Sequence, residues 1–180
     1  MSPVGSERRT RVDDEVMARV TAAVQRGRDG ERADARRELE ALWAEVEGAE
    51  VEERGVGEGG GDDFHRCVIA HFLADLQDDG RDELAWDERA LAAVGGVTDE
   101  RAQEFDRSLQ VRAFLPSLHL SLADDHRRLG DPDRAREFLA RARATADALG
   151  PDAYGALVAG AMEKIDRALA ESSTEPLPAD

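Results

Sequence analysis

The amino-acid sequence predicts an all-α protein, and three observations carry that reading. Charged residues make up 36% of the 180-residue chain and aromatics only 4%, with Ala, Leu, Arg and Glu dominant. That is the composition of helices packed through small and medium apolar side chains, and it argues against a β-sandwich. Apolar residues recur at three- and four-residue spacing, the period of a helix with one buried face. These runs are cut at glycine-bearing turns, at Gly27 to Gly30, Gly80, Gly95-Gly96, Gly130 and Gly150. A chain of this length supports one domain with its own core.

In chain order, residues 1–12 are polar, carry Pro3 and Gly5 and show no helical period, which predicts a disordered N-terminus. The predicted domain spans residues 13–171. Val16, Val20, Ala23 and Val24 place a first helix from Asp13. A second, from Glu31 to about Val46, carries the stripe Ala35, Leu39, Leu42, Trp43 and Val46, and the pair forms a helix hairpin. Residues 48–63 hold six glycines and six acids without periodicity, the pattern of a flexible acidic connector. The acids, and the lack of a preceding strand or a lysine, exclude a phosphate cradle there.

Phe64 to Asp78 and Arg81 to Val94 repeat the hairpin around Gly80. Thr98 is a good N-cap, with Asp99 and Glu100 in the first turn where their charge suits the helix dipole. The helix that starts there is expected to run on to Leu129 with a kink at Pro116. Asp131 to Leu149 is its partner. Pro151 opens a last helix to about Glu171, and residues 172–180 are expected to be a disordered tail.

The stretch from Ser121 to Ala142 resembles a tetratricopeptide repeat (TPR) through Leu122, Ala123, His126, Gly130, Ala135, Leu139 and Ala142, with His126 in place of the usual tyrosine. Small residues at such positions let helix backbones approach closely, while a large residue beside each fills the groove. The other hairpins echo the pattern more weakly through Gly30, Ala35, Leu39 and Leu42, and through Gly80, Ala85 and Ala92, where Arg89 departs from the apolar type. The resemblance implies about three antiparallel hairpins stacked as a short right-handed superhelix with a C-terminal capping helix. It also implies a concave groove, lined by the first helices of the pairs, that binds a protein or peptide. By register those positions are Val20 and Val24, then Ala70, Ala74, Gln77, Leu120, Asp124, Arg127 and Arg128.

One constellation suggests chemistry. His71 and Asp75 are four residues apart and so share a helix face, with His65 nearby in sequence and His119 on a later helix. A metal centre on His71, Asp75 and His119, or a metal-dependent enzyme using His65 as well, is the alternative to a scaffold. Against it, no ligand pair has the tight spacing of known zinc motifs, so the sequence names no catalytic residue and no cofactor. Cys67, four residues before His71, reads as a nucleophile or as a small buried thiol. Trp43 and Trp86 read as packing between helix pairs, and Asp124-Asp125 with Arg127-Arg128 as a solvated face or a clamp for a charged peptide.

A net charge of −16 with scattered basic residues disfavours nucleic acid. No window has the run of about 20 apolar residues needed to cross a membrane. A lone cysteine and the lack of an apolar leader predict a cytoplasmic protein. Only Lys164 among the 24 basic residues is a lysine, a coding habit typical of high-GC bacteria. The expected function is a protein-interaction scaffold rather than an enzyme, with a homodimer as a third option.

Overall fold

The computed structural model describes residues 3–53, 63–105 and 111–178. Among them are eight α-helices and no strand: α1 (Pro3–Arg28), α2 (Arg32–Glu53), α3 (Asp63–Ala74), α4 (Gly80–Val94), α5 (Asp99–Phe105), α6 (Leu115–Arg128), α7 (Pro132–Ala144) and α8 (Ala153–Ala170). Helices α1 and α2, α3 and α4, and α6 and α7 pack as pairs. Between pairs, α2 lies on α3 and α4 on α6, while α8 closes the C-terminal end against both α6 and α7.

Local chemistry explains the element ends. Asp79 caps α4 by accepting from the Arg81 N–H at 2.8 Å, Asp131 caps α7 from Arg134 at 3.1 Å, and Asp152 caps α8 from Gly155 at 2.8 Å. Gly30 and Gly130 close the first and third pairs with φ of +96° and +80°, a left-handed conformation that side chains resist. Each is followed by a backbone bond reaching back five residues, Glu31 N–H to Arg26 O at 3.0 Å and Asp131 N–H to His126 O at 2.8 Å.

The core runs the length of the stack. Val20, Ala23, Ala35, Leu39, Leu42, Ile69 and Leu73 join α1, α2 and α3. Cys67, Ala70, Ala90, Val94 and Leu118 join α3, α4 and α6. Leu122, Ala123, Ala135, Leu139, Ala142, Val158, Met162 and Ile165 join α6, α7 and α8. Trp43 of α2 and Trp86 of α4 meet edge to face at 5.1 Å, so both tryptophans pack between helix pairs, as expected.

Several sequence expectations need correction. Helix α1 begins at Pro3, ten residues before the predicted start. Proline is tolerated in a first turn, and Arg8, Arg9 and Arg11, good helix formers, follow Gly5. Helix α2 runs to Glu53, into the predicted connector, and residues 54–62 of that connector lie outside the described residues. Pro116 does not kink one long helix: α5 ends at Phe105, and Pro116 stands in the first turn of α6, where its missing N–H costs no bond. Helix α7 stops at Ala144, where the Thr145 hydroxyl bonds back to the Arg141 and Ala142 carbonyls, and a 3-10 turn follows at Ala146–Ala148.

The C-terminal segment is not a loose tail over residues 172–178. Leu177 packs against the α6–α7–α8 core, the Lys164 ammonium donates to Pro178 O at 3.3 Å, and the Arg127 guanidinium donates to Ser173 O at 2.7 Å. Among the described residues no helix is long and apolar enough to cross a membrane.

Candidate functional site

The expected groove residues divide sharply by burial. Ala70, Ala74, Leu120 and Arg127 are buried within the chain, as is Val20. They hold helices together and do not face a partner, which corrects that part of the expectation. Ala70 and Ala74 are small for the reason the spacing suggested, close backbone approach, but the surface they serve is internal. Gln77, Asp124 and Arg128 remain partly exposed. Gln77 donates to Leu73 O at 2.8 Å, one turn back in α3.

Helix α6 places Asp124 and Arg127 three residues apart, and the pair is built inward. Arg127 is 2% exposed, its Nε donates to Asp124 Oδ1 at 2.9 Å, and its Nη1 holds the Ser173 carbonyl. A buried guanidinium needs such partners, because leaving it unpaired costs several kcal/mol. Arg128, on the outer side, grips the Glu83 carboxylate of α4 with both Nη atoms, Nη1 to Oε1 at 3.2 Å. The Asp124–Arg128 face is therefore a latch between α4, α6 and the C-terminal segment, and only its rim reaches solvent.

Behind that rim lies a polar cluster at the junction of α3, α4 and α6. His71 Nδ1 lies 3.5 Å from Asp87 Oδ1. Asp87 is 3% exposed, and Asp125, on α6, is 1% exposed. Burial alone would depress the His71 pKa, yet the contact with Asp87, aided by the charge of Asp75, carries it above the ordinary imidazole value. Burial, then the charges of Asp87 and Glu83, push the Asp125 carboxyl well above the usual carboxylate range. Burial likewise outweighs Arg128 in raising Glu83.

The remaining candidates are scattered. His119 faces the Phe138 ring at 6.3 Å on the α7 side of α6, and burial lowers its pKa. His65 is buried beside Arg101 Nη2 at 3.3 Å. His71, Asp75, His119 and His65 do not converge, and no group of three or more metal-ligating side chains occurs among the described residues. Cys67 is buried in the α3–α4–α6 core, and burial with the nearby Asp63 pushes its thiol up to about 12. A thiol so hard to ionise is a packing residue, not a nucleophile.

Sequence reading missed Asp87 and placed Asp125 on a solvated face, although a signal for their burial existed. Leu84, Asp87, Leu91 and Val94 share one face of α4, and Leu118, Leu122 and Asp125 share one face of α6. A carboxylate standing in an apolar stripe marks a buried polar contact. His126, in the position where the repeat resemblance expects an aromatic, stacks on Phe138 at 5.3 Å with ring planes 7° apart.

Together these features define an all-α protein of packed helix pairs with a polar junction at its middle. Comparison with known proteins finds no matching family model, no similar curated protein and no similar solved structure.

Proposed function

We propose that the chain is a protein-interaction module, a short right-handed superhelix of TPR-like hairpins with α8 as its cap, which holds a partner protein or peptide. The observation that carries this reading is the α6–α7 pair. Ala123, Ala135 and Ala142 are fully buried at the helix crossing, His126 stacks on Phe138, and Gly130 makes the turn, each at the position the repeat resemblance assigns. Helix pairs stacked in this way bury one face of each pair against the next and leave an extended surface for recognition. The reachable part of the groove is Gln77 in the turn after α3 with Asp124 and Arg128 on α6.

Photo-crosslinking tests the reading. A photoreactive residue at Gln77 or Arg128 should form adducts with a partner in cells, while one at Glu163, on the exposed side of α8, should not. Equal labelling at all three positions, or none, counts against the groove. A second reading is favoured by Tyr154 and Leu157 on α8, 49% and 56% exposed, which a second copy of the chain would cover. Light scattering separates the two, since a doubled mass that Leu157→Glu returns to a single copy supports the homodimer.

A further inference from the structure

Residues 172–178 follow α8 without a helix of their own, yet they are held in place. Ser172, at φ +55°, takes the left-handed conformation that ends α8, and the Ser172 and Ser173 N–H groups donate to the Leu169 and Ala168 carbonyls at 3.2 and 2.9 Å. The chain then turns back along the helix. Ser173 O accepts from Arg127 of α6 at 2.7 Å, and Pro178 O accepts from Lys164, well inside α8, at 3.3 Å. Leu177, between these two carbonyls in sequence, packs against the α6–α7–α8 core.

These contacts have the form in which a folded surface holds an extended peptide. The Arg127 and Lys164 side chains bind backbone carbonyls, which any sequence offers, while a single apolar side chain, Leu177, enters the core and supplies selectivity. Pro176 and Pro178 each follow a residue that they force into an extended conformation, which lowers the entropy lost on docking. A buried guanidinium is a costly way to join two helices. What Arg127 provides that an apolar residue would not is a donor for the main chain of a segment outside those helices. We propose that the seam between α6 and α8 is a docking groove for an extended peptide carrying leucine followed by proline, and that residues 173–178 occupy it in cis. Tethered to α8, they act at an effective concentration of about millimolar, so a partner's segment of the same chemistry enters only by outcompeting them. The proposal rests on Arg127, Lys164 and Leu177 and not on the interaction reading above, so each can fail alone.

The probe is a peptide with the sequence of residues 172–178, titrated to about millimolar concentration into the isotope-labelled full chain and followed by amide NMR shifts. In Leu177→Glu, whose own segment has lost its apolar anchor, the peptide should shift amides of α6 and α8 and bind at least about tenfold more tightly than to wild type. The same peptide with glutamate in place of its leucine should shift neither chain. Equal binding to wild type and variant, no shifts in the variant, or shifts confined to other helices overturns the proposal. So does a doubled wild-type mass in light scattering that Leu177→Glu returns to one copy, because the occupant would then be a second copy's segment. If Leu177→Glu does not fold, Leu177→Ala is titrated in its place and read by the same outcomes.

Discussion

Single residues set this fold through what they leave out as much as what they add. Ala123 and Ala135 are fully buried where α6 and α7 cross, so extra methylenes there have no space to enter. Ala123→Leu or Ala135→Leu should cost about 1–3 kcal/mol, read as a lower thermal midpoint. An unchanged melt would mean the helices do not approach at these alanines. Gly130 imposes a different constraint, since its φ of +80° lies where a Cβ is disfavoured although the space around it is open. Gly130→Ala should cost about 1–2 kcal/mol through backbone strain alone. A similar change at Gly160, which also has open space but lies within α8, should be neutral or stabilising. Equal effects at the two sites would contradict the strain argument. His71 adds a pH-dependent contribution. Its folded pKa lies above the unfolded value, so its stabilisation is fully present below the unfolded pKa and disappears as pH rises through the folded one. The midpoint difference between wild type and His71→Gln should therefore be larger near about pH 5.5 than near about pH 8.5. A constant difference would show that His71 acts only by packing.

At the scale of elements, caps and latches decide where helices start and how they are held. The Asp79, Asp131 and Asp152 caps each satisfy N–H groups that the first turn leaves without partners. The C-terminal segment matters more than its position suggests, because the Ser173 carbonyl is an acceptor for the buried Arg127 guanidinium. Truncation after Glu171 removes that acceptor and uncovers the apolar contact of Leu177. The expected loss is about 2–4 kcal/mol, from a charged hydrogen bond plus exposed apolar surface, measured by chemical denaturation. A truncated chain as stable as the full one would show that the segment merely lies against α8.

For the whole molecule, the decisive quantity is an excess of acidic groups, 40 against 24 basic residues. Ion pairs such as Arg19–Glu45 at 2.7 Å and Arg112–Asp147 at 3.0 Å offset part of that excess, but they are largely exposed and individually weak. Self-repulsion of the folded state should dominate. Raising salt from about 0.01 M to about 1 M, which shortens the screening length from about 30 Å to about 3 Å, should raise the thermal midpoint. A fall would mean the surface pairs outweigh the net charge.

Helix identity and most helix positions were legible in the sequence, because apolar periodicity, caps and glycine turns are local properties of the chain. The turn between α6 and α7 was legible through Ala123, Gly130 and Ala135, while α6 was expected as part of one longer helix and α7 was expected to run on to Leu149. What the sequence alone could not decide were contacts between distant segments. Periodicity placed Ala70, Leu120 and Arg127 on particular helix faces, but only packing against α4, α7 and the C-terminal segment made those faces internal. Likewise His71 could be paired in sequence with Asp75, four residues away, yet its partner is Asp87 on the next helix. A side chain's period sets the direction in which it leaves its own helix, and tertiary structure alone sets what it meets there, since burial and charge pairing depend on which helices come together.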